Sequence, residues 1–199
     1  MRLNKYISDS GCCSRREADR LIEAGSVRVN GATAVMGMQI EDGDSVEVNG
    51  KSIKAPNTVK KVIYAFYKPE GMVTTMADEP DSLYAYLKNK GLDRRVFPVG
   101  RLDKDSCGLL LLTNDGELIQ KLMRGAEKHE KEYVVKAEKE ITPEFLEKMA
   151  GGIYLEELHQ TTRPCKITQE GKYTFRIILT QGLNRQIRRM CGELGYHVQ

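Results

Sequence analysis

The chain has no apolar run approaching the ~20 residues that cross a bilayer, and its opening, Met1-Arg2-Leu3-Asn4-Lys5-Tyr6, lacks the apolar core of a secretion signal. No cysteines stand at C-x-x-C spacing: they lie at 12, 13, 107, 165 and 191, the first pair adjacent. The histidines, His129, His159 and His197, are far apart, so no zinc-ligand spacing exists. Neither G-x-x-x-x-G-K-[ST] nor G-x-G-x-x-G occurs, which leaves a nucleotide cofactor without a cradle. Together these absences predict a cytoplasmic protein with reduced thiols, no metal, no cofactor and no membrane partner. A large charge of either sign is missing too. Lys and Arg number 31 against 28 Asp and Glu, a formal net charge of +3, so any nucleic-acid binding has to come from local clusters of Arg and Lys.

What is present is ordinary for a folded protein: 199 residues, 40% hydrophobic and 30% charged, enough for one large domain or a small one plus a medium one. Residues 3–9 read as a short helix stopped by Gly11. Ser14-Arg15-Arg16-Glu17 matches a capping box, and the helix it opens runs to about Ala24 with Gly25 as its left-handed stop. Ala18, Leu21, Ile22 and Gly25 share a buried face, so Arg16 and Arg20 face solvent with Arg15 on the flank. Short strands follow, turning at Asn30-Gly31 and Asn49-Gly50, both strong hairpin signals. The plain alternative for these arginines is a solvated helix face, partly neutralised by Glu17, Asp19 and Glu23.

The polar, Pro-containing stretch Lys54–Lys61 marks a domain boundary near residue 60, giving domains at 1–60 and 61–199. Beyond it, strands are expected at 62–67, 109–113, 132–136, 165–168 and 173–180. Helices are expected at 82–90 (closed by Gly91), 115–124 and from Thr142-Pro143 to Gly151-Gly152. Strands and helices interleave without a strict βαβ repeat, so the fold class is α+β: a small α/hairpin domain, then a mixed, mainly antiparallel sheet with flanking helices.

The second domain is organised around Val99–Thr113. Here Arg101, Asp103, Lys104 and Asp105 stand between Gly100 and Gly108, and a leucine run with the length of a fully buried strand follows. A polar loop feeding a central strand is held rigidly, as a catalytic carboxylate requires. Asp103 and Asp105 are two residues apart and point to opposite sides of an extended loop, so at most one faces a given cleft. A surface turn whose Asp residues cap backbone amides fits the same letters. Near the end, Ile187, Met190, Cys191 and Leu194 recur at helical spacing and should bury. Arg185 and Arg189 then face away and Arg188 sits on the flank, within reach of a cleft, although a helix with solvated arginines has the same pattern.

Two resemblances sharpen this reading. Arg2–Ile7, Cys13–Asp19, Ile22, Gly25 and Val27–Gly31 resemble the S4 RNA-binding domain. That resemblance implies that Arg2, Lys5, Arg15, Arg16, Arg20 and Arg28 lie on structured RNA, read by backbone and shape. Tyr67–Gly71, Gly100–Leu109, His129–Tyr133 and Gly182–Met190 resemble, in order and spacing, the S4-containing pseudouridine synthases that modify ribosomal RNA. That family implies an isomerase without metal or cofactor that flips a uridine out of its stack. It implies Asp103 as the catalytic carboxylate and Tyr133 as the aromatic stacked on the uracil. Arg188 becomes the basic partner of the carboxylate, and Arg101 the side chain filling the gap left by the extruded base. The resemblance leaves Asp105 structural; Arg185 and Arg189, on the outward side of their helix, are expected as further RNA contacts. The expected partner is ribosomal RNA, 23S foremost, with tRNA as a second candidate and a monomer as the acting form. The family continues past Gly195–Val198 with a further strand, so a C-terminally truncated sheet lacking an edge strand is expected. Two rivals remain: a non-catalytic RNA-binding or ribosome-assembly factor with an inactive synthase domain, and a glycosidase-like hydrolase using Asp103 and Asp105 as a pair. The opposed directions of those carboxylates argue against the second.

Overall fold

The structure, a computed structural model, describes residues 1–91, 95–124 and 129–199. By compactness the chain divides into two units, Met1–Gln120 and Lys121–Gln199.

The first unit opens with α1 (Leu3–Asp9) and α2 (Arg15–Glu23). Ser14 Oγ accepts the Glu17 amide at 3.0 Å, but the Glu17 carboxylate meets Arg20 at 3.4 Å instead of closing the reciprocal half of the capping box. Gly25 stops the helix at φ 69°. Strands β1 (Val27–Val29), β2 (Ala32–Thr33), β3 (Val46–Val48) and β4 (Lys51–Ser52) form an antiparallel sheet ordered β2-β1-β3-β4. Both hairpin turns place their central residues in the left-handed region, Asn30-Gly31 at φ 51° and 81° and Asn49-Gly50 at φ 51° and 74°, as a type I′ turn requires. Leu3, Ile7, Ala18, Ile22, Val27, Val29, Val46 and Val48 form one buried core under both helices.

The same unit continues with β5 (Ile63–Lys68), β6 (Phe97–Pro98) and β7 (Gly108–Thr113), ordered β5-β7-β6 and antiparallel. Helix α3 (Leu83–Asn89) is capped by Ser82, whose Oγ accepts the Ala85 amide at 3.0 Å. The leucine run is not fully buried. Leu110 and Leu112 are 3% and 2% exposed, whereas Leu109 is 69% exposed beside an equally exposed Tyr67. Antiparallel strands covered on one face alternate in burial, and a run of one residue type hides that alternation from a periodicity reading. After β7, Asn114 accepts the Val62 amide at 2.9 Å, and Asp115 accepts the amides of Glu117 and Leu118 at 3.0 and 3.3 Å, opening α4 (Gly116–Met123).

In the second unit, β8 (Lys131–Lys136), β11 (Lys166–Gly171) and β12 (Thr174–Leu179) form an antiparallel sheet ordered β11-β12-β8. Helix α5 (Pro143–Gly151) starts as expected, Thr142 Oγ1 accepting the Phe145 amide at 3.1 Å. A hairpin of β9 (Tyr154–Leu155) and β10 (Gln160–Thr161), too short for a periodic signal, links it to β11. Helix α6 (Gln186–Glu193) closes the core, which gathers Val135, Phe145, Met149, Leu155, Phe175, Ile177 and Met190. Its stripe differs from the expected one: Met190 and Cys191 are buried, Ile187 and Leu194 are only half-buried, and Gln186 is buried instead. The Gln186 amide is satisfied there, its oxygen accepting Leu183 N at 3.0 Å, so burial leaves no polar atom orphaned. Burial pushes the Cys191 thiol up to about 12, against the opposing pull of Arg188. Past α6, Val198 bridges Ala137, and the Gln199 amide donates to Lys136 O at 2.9 Å. Among the described residues every named ladder is antiparallel, the parallel pairing being the single bridge Val73–Ser82, and no helix is long and apolar enough to cross a membrane.

Burial pushes the Asp115 carboxyl up, but Lys61 at 2.8 Å and the amides of Leu118 and Glu117 outweigh it, and the net shift is downward. The stability this provides is therefore complete above the ordinary carboxyl value and is lost as pH falls through the lowered one. Asp115→Ala is expected to cost ~1–2 kcal/mol at neutral pH, as lost caps do. The gap to wild type should shrink on acidification below about pH 4, the ordinary Asp range, as read by urea unfolding at each pH.

Candidate active site and RNA interface

The loop before β7 is held from below by the residues after β5. Tyr64, Phe66 and Lys68 share the inward parity of β5, and Lys68, at 0% exposure, lies deepest. Its ammonium donates to Ser106 O at 2.6 Å, Pro69 O at 2.8 Å and Lys104 O at 3.4 Å, matching its three hydrogens to three backbone acceptors. Burial pushes the Lys68 pKa down, against the pull of Cys107, Asp103, Asp105 and Glu70. Gly71 N donates to Lys104 O at 2.8 Å, while Thr74 Oγ1 donates to Leu102 O at 2.7 Å and accepts Leu102 N at 3.3 Å. Inside the loop Ser106 N donates to Asp103 O at 3.1 Å, and Lys104 meets Asp81 at 3.2 Å.

This clamp fixes the backbone on both sides of Asp103, which is half-buried, while Arg101 and Asp105 are exposed. The carboxylates thus sit in different surroundings. The Cys107 thiol beside Tyr67 pushes the tyrosine's pKa up. Lys68 is the loop-supporting residue that sequence reasoning passed over. Its signal was there: a lysine on the buried parity of a strand, in a motif that drew notice only for its resemblance.

In the second unit, Tyr133 sits on β8 opposite Ile177, half-buried against the core. Arg188 on α6 is half-buried and donates to Val198 O at 3.0 Å. Arg185, exposed, holds the left-handed position before α6 at φ 50°. Arg189 does not simply face away: its Nε donates to Asn184 O at 3.0 Å, and it pairs with Glu157. These three arginines line one cleft of about 430 Å³.

At the start of the chain, Arg2, Arg15, Arg16, Arg20 and Arg28 are exposed. Lys5 departs from them. It is half-buried and bonded to Asp9 at 2.6 Å and Glu117 at 3.2 Å; burial pulls its pKa down, but those carboxylates outweigh it and leave it raised. Among the described residues no group of three or more His, Cys, Asp or Glu is placed to hold a metal ion.

Comparison with known proteins matches two family models to the chain. The S4 domain model matches residues 1–46, and the RNA pseudouridylate synthase model matches residues 62–193. The dual-specificity RNA pseudouridine synthase RluF of Escherichia coli (strain K12) is 50% identical over 200 residues, covering 100% of this chain and 67% of that protein. The ribosomal large subunit pseudouridine synthase B of Bacillus subtilis (strain 168) is 38% identical over 202 residues, covering 99% of this chain and 82% of the relative. A solved pseudouridylate synthase superposes with a TM-score of 0.68 at 26% identity, covering 100% of this chain and 85% of that one. The clamped Gly-Arg-Leu-Asp loop, the S4 core and these full-length similarities have one common reading: the chain belongs to the RNA pseudouridine synthase family, isomerases that here carry an S4 RNA-binding domain at the N-terminus.

Proposed function

We propose that this chain converts specific uridines of ribosomal RNA, 23S foremost, to pseudouridine, with tRNA as a second substrate class. It acts as a cytoplasmic monomer, residues 1–60 docking the RNA and residues 61–199 performing the chemistry. The observation that carries the reading is the loop at Asp103, whose backbone is clamped on both sides by Lys68, Gly71 and Thr74. The large-subunit target is supported by the name of the B. subtilis relative, and the second substrate class by the dual specificity named for the E. coli one.

The reaction breaks the C1′–N1 bond, turns the uracil and forms C1′–C5, with a proton gained at N1 and one lost from C5. Atoms and electrons balance without an oxidant, a reductant or water. A stacked base is out of reach, so the uridine is flipped out at a cost of a few kcal/mol, and Arg101, exposed on the loop, fills its place. Asp103 is the ionised group that starts the exchange, by attack on base or sugar or by removing a ribose proton. The buried ammonium of Lys68 holds the loop that carries Asp103, through Ser106 O and Lys104 O. Tyr133 offers a flat face to the loosened uracil and Arg188 pairs with the carboxylate; both roles rest on the motifs His129–Tyr133 and Gly182–Met190. Arg2, Arg15, Arg16, Arg20 and Arg28 dock the RNA backbone, with Lys5, Arg185 and Arg189 as further contacts.

Carbodiimide mapping after incubation with 23S rRNA transcripts is expected to show new pseudouridine with the wild type. Asp103→Asn should lower the rate by roughly a thousandfold or more while binding persists. An active Asp103→Asn would overturn the assignment, and binding without conversion by the wild type would favour a non-catalytic RNA-binding factor. Arg16→Gln with Arg20→Gln should weaken binding about tenfold and flatten the salt slope by roughly one to two. Lys68→Met removes the ammonium from Ser106 O, Pro69 O and Lys104 O and should cost ~2–4 kcal/mol in urea unfolding, with a matching loss of turnover. Because the Lys68 pKa is lowered by folding, the unfolded chain binds more protons just below the ordinary lysine value. The wild type should therefore gain stability relative to Lys68→Met as pH rises through that window.

A further inference from the structure

The cleft between α6 and the β9–β10 hairpin holds an ion pair for which the isomerisation has no task. Arg185, Arg188 and Arg189 line it together with Glu157 and Glu193, and the buried Leu155 completes its wall. Arg189 is fixed from behind: Nε donates to Asn184 O at 3.0 Å and Nη2 to Asn184 Oδ1 at 3.3 Å, leaving Nη1 aimed at the Glu157 carboxylate. The partners are held unequally. The Arg189 side chain is 21% exposed and that of Glu157 is 73% exposed, so the cation is set in place and the anion sits at the rim.

We propose that Glu157 is an internal anion occupying the place on Arg189 that an RNA phosphodiester takes, until an RNA phosphate displaces it. This rests on the reading of RNA as the substrate. A carboxylate and a phosphodiester each carry one negative charge over two acceptor oxygens, so a guanidinium positioned for one accepts the other. An ion pair whose anion stands open to solvent is weak, so the concentrated charge of an RNA backbone outcompetes it. Release leaves the hairpin intact, because Leu155 is buried, the Glu156 amide donates to Glu193 Oε1 at 3.3 Å, and Thr162 Oγ1 accepts the Ile153 amide at 2.9 Å. The consequence is selectivity. An RNA that makes only loose contacts elsewhere gains little at Arg189, whereas a well-seated one recovers the cost of displacing Glu157.

The test is a double-mutant cycle on the full chain carrying Asp103→Asn, so that no turnover intervenes. Anisotropy with fluorescein-labelled 23S rRNA transcripts is the readout. Glu157→Gln is expected to tighten binding about three- to tenfold at low salt. Glu156→Gln removes the same charge one residue away, from a side chain that is also exposed, and should change binding less than about twofold. Arg189→Gln should weaken binding and lower the salt slope by about 0.7–0.9, one phosphate contact. On that background Glu157→Gln should add nothing, and Arg189→Lys should recover part of the affinity. Equal gains from Glu156→Gln and Glu157→Gln, or a Glu157→Gln gain that survives Arg189→Gln, would overturn the proposal as a general field effect. Binding with a flat cycle overturns this inference alone; failure of every transcript to bind overturns the RNA substrate and this inference with it.

Discussion

The interaction on which the candidate site depends is a buried ammonium that touches only carbonyl oxygens. A lysine at 0% exposure is an expense to any fold, since burial disfavours its charged form. Here the cost is offset by three backbone acceptors, two of them in the loop that carries Asp103. The ammonium cannot leave without taking a hydrogen bond from each of those carbonyls, and the loop cannot shift without stripping the ammonium. That mutual dependence turns a stretch with two glycines and a run of charges into a rigid platform. One side chain thus sets the shape of the loop.

Local rules made the first unit readable. Ser14, Gly25, Asn30-Gly31 and Asn49-Gly50 each act within a few residues, and a cap or a left-handed turn needs no distant partner. The same holds for Ser82 and Thr142 at the starts of α3 and α5. Illegible features were those set by distant neighbours. Whether Leu109 is covered depends on what lies across the sheet, and four leucines in a row conceal the strand's period. The reciprocal half of the capping box was lost to Arg20, one turn further along the same helix. The β9–β10 hairpin has two-residue strands, below the length at which alternation is visible.

The candidate site was legible by resemblance more than by physics. Taken alone, two Asp residues in a loop allowed a cap or a catalyst, and alternation only limited the choice to one. What the structure adds is the support beneath them. Gln186 teaches the complementary point: a polar residue took the buried position assigned to Ile187 because its amide could satisfy the Leu183 turn. Hydrophobic periodicity has no means of seeing that.

The arginines divide into two physical kinds, and the division bears on how a chain of net charge +3 handles a polyanion. Arg15, Arg16 and Arg28 stand exposed in the S4 domain, where long flexible cations gather RNA from a distance and lose strength as salt rises. Arg188 and Arg189 have their forks directed by backbone carbonyls, Val198 O and Asn184 O, before any ligand arrives. A held guanidinium surrenders less entropy on binding and discriminates by geometry, but it contributes little to encounter. Separating capture from placement in this way lets the overall charge stay near neutral. On the proposed reading, affinity comes from a patch that is open to solvent, and register from side chains whose direction the fold has already set.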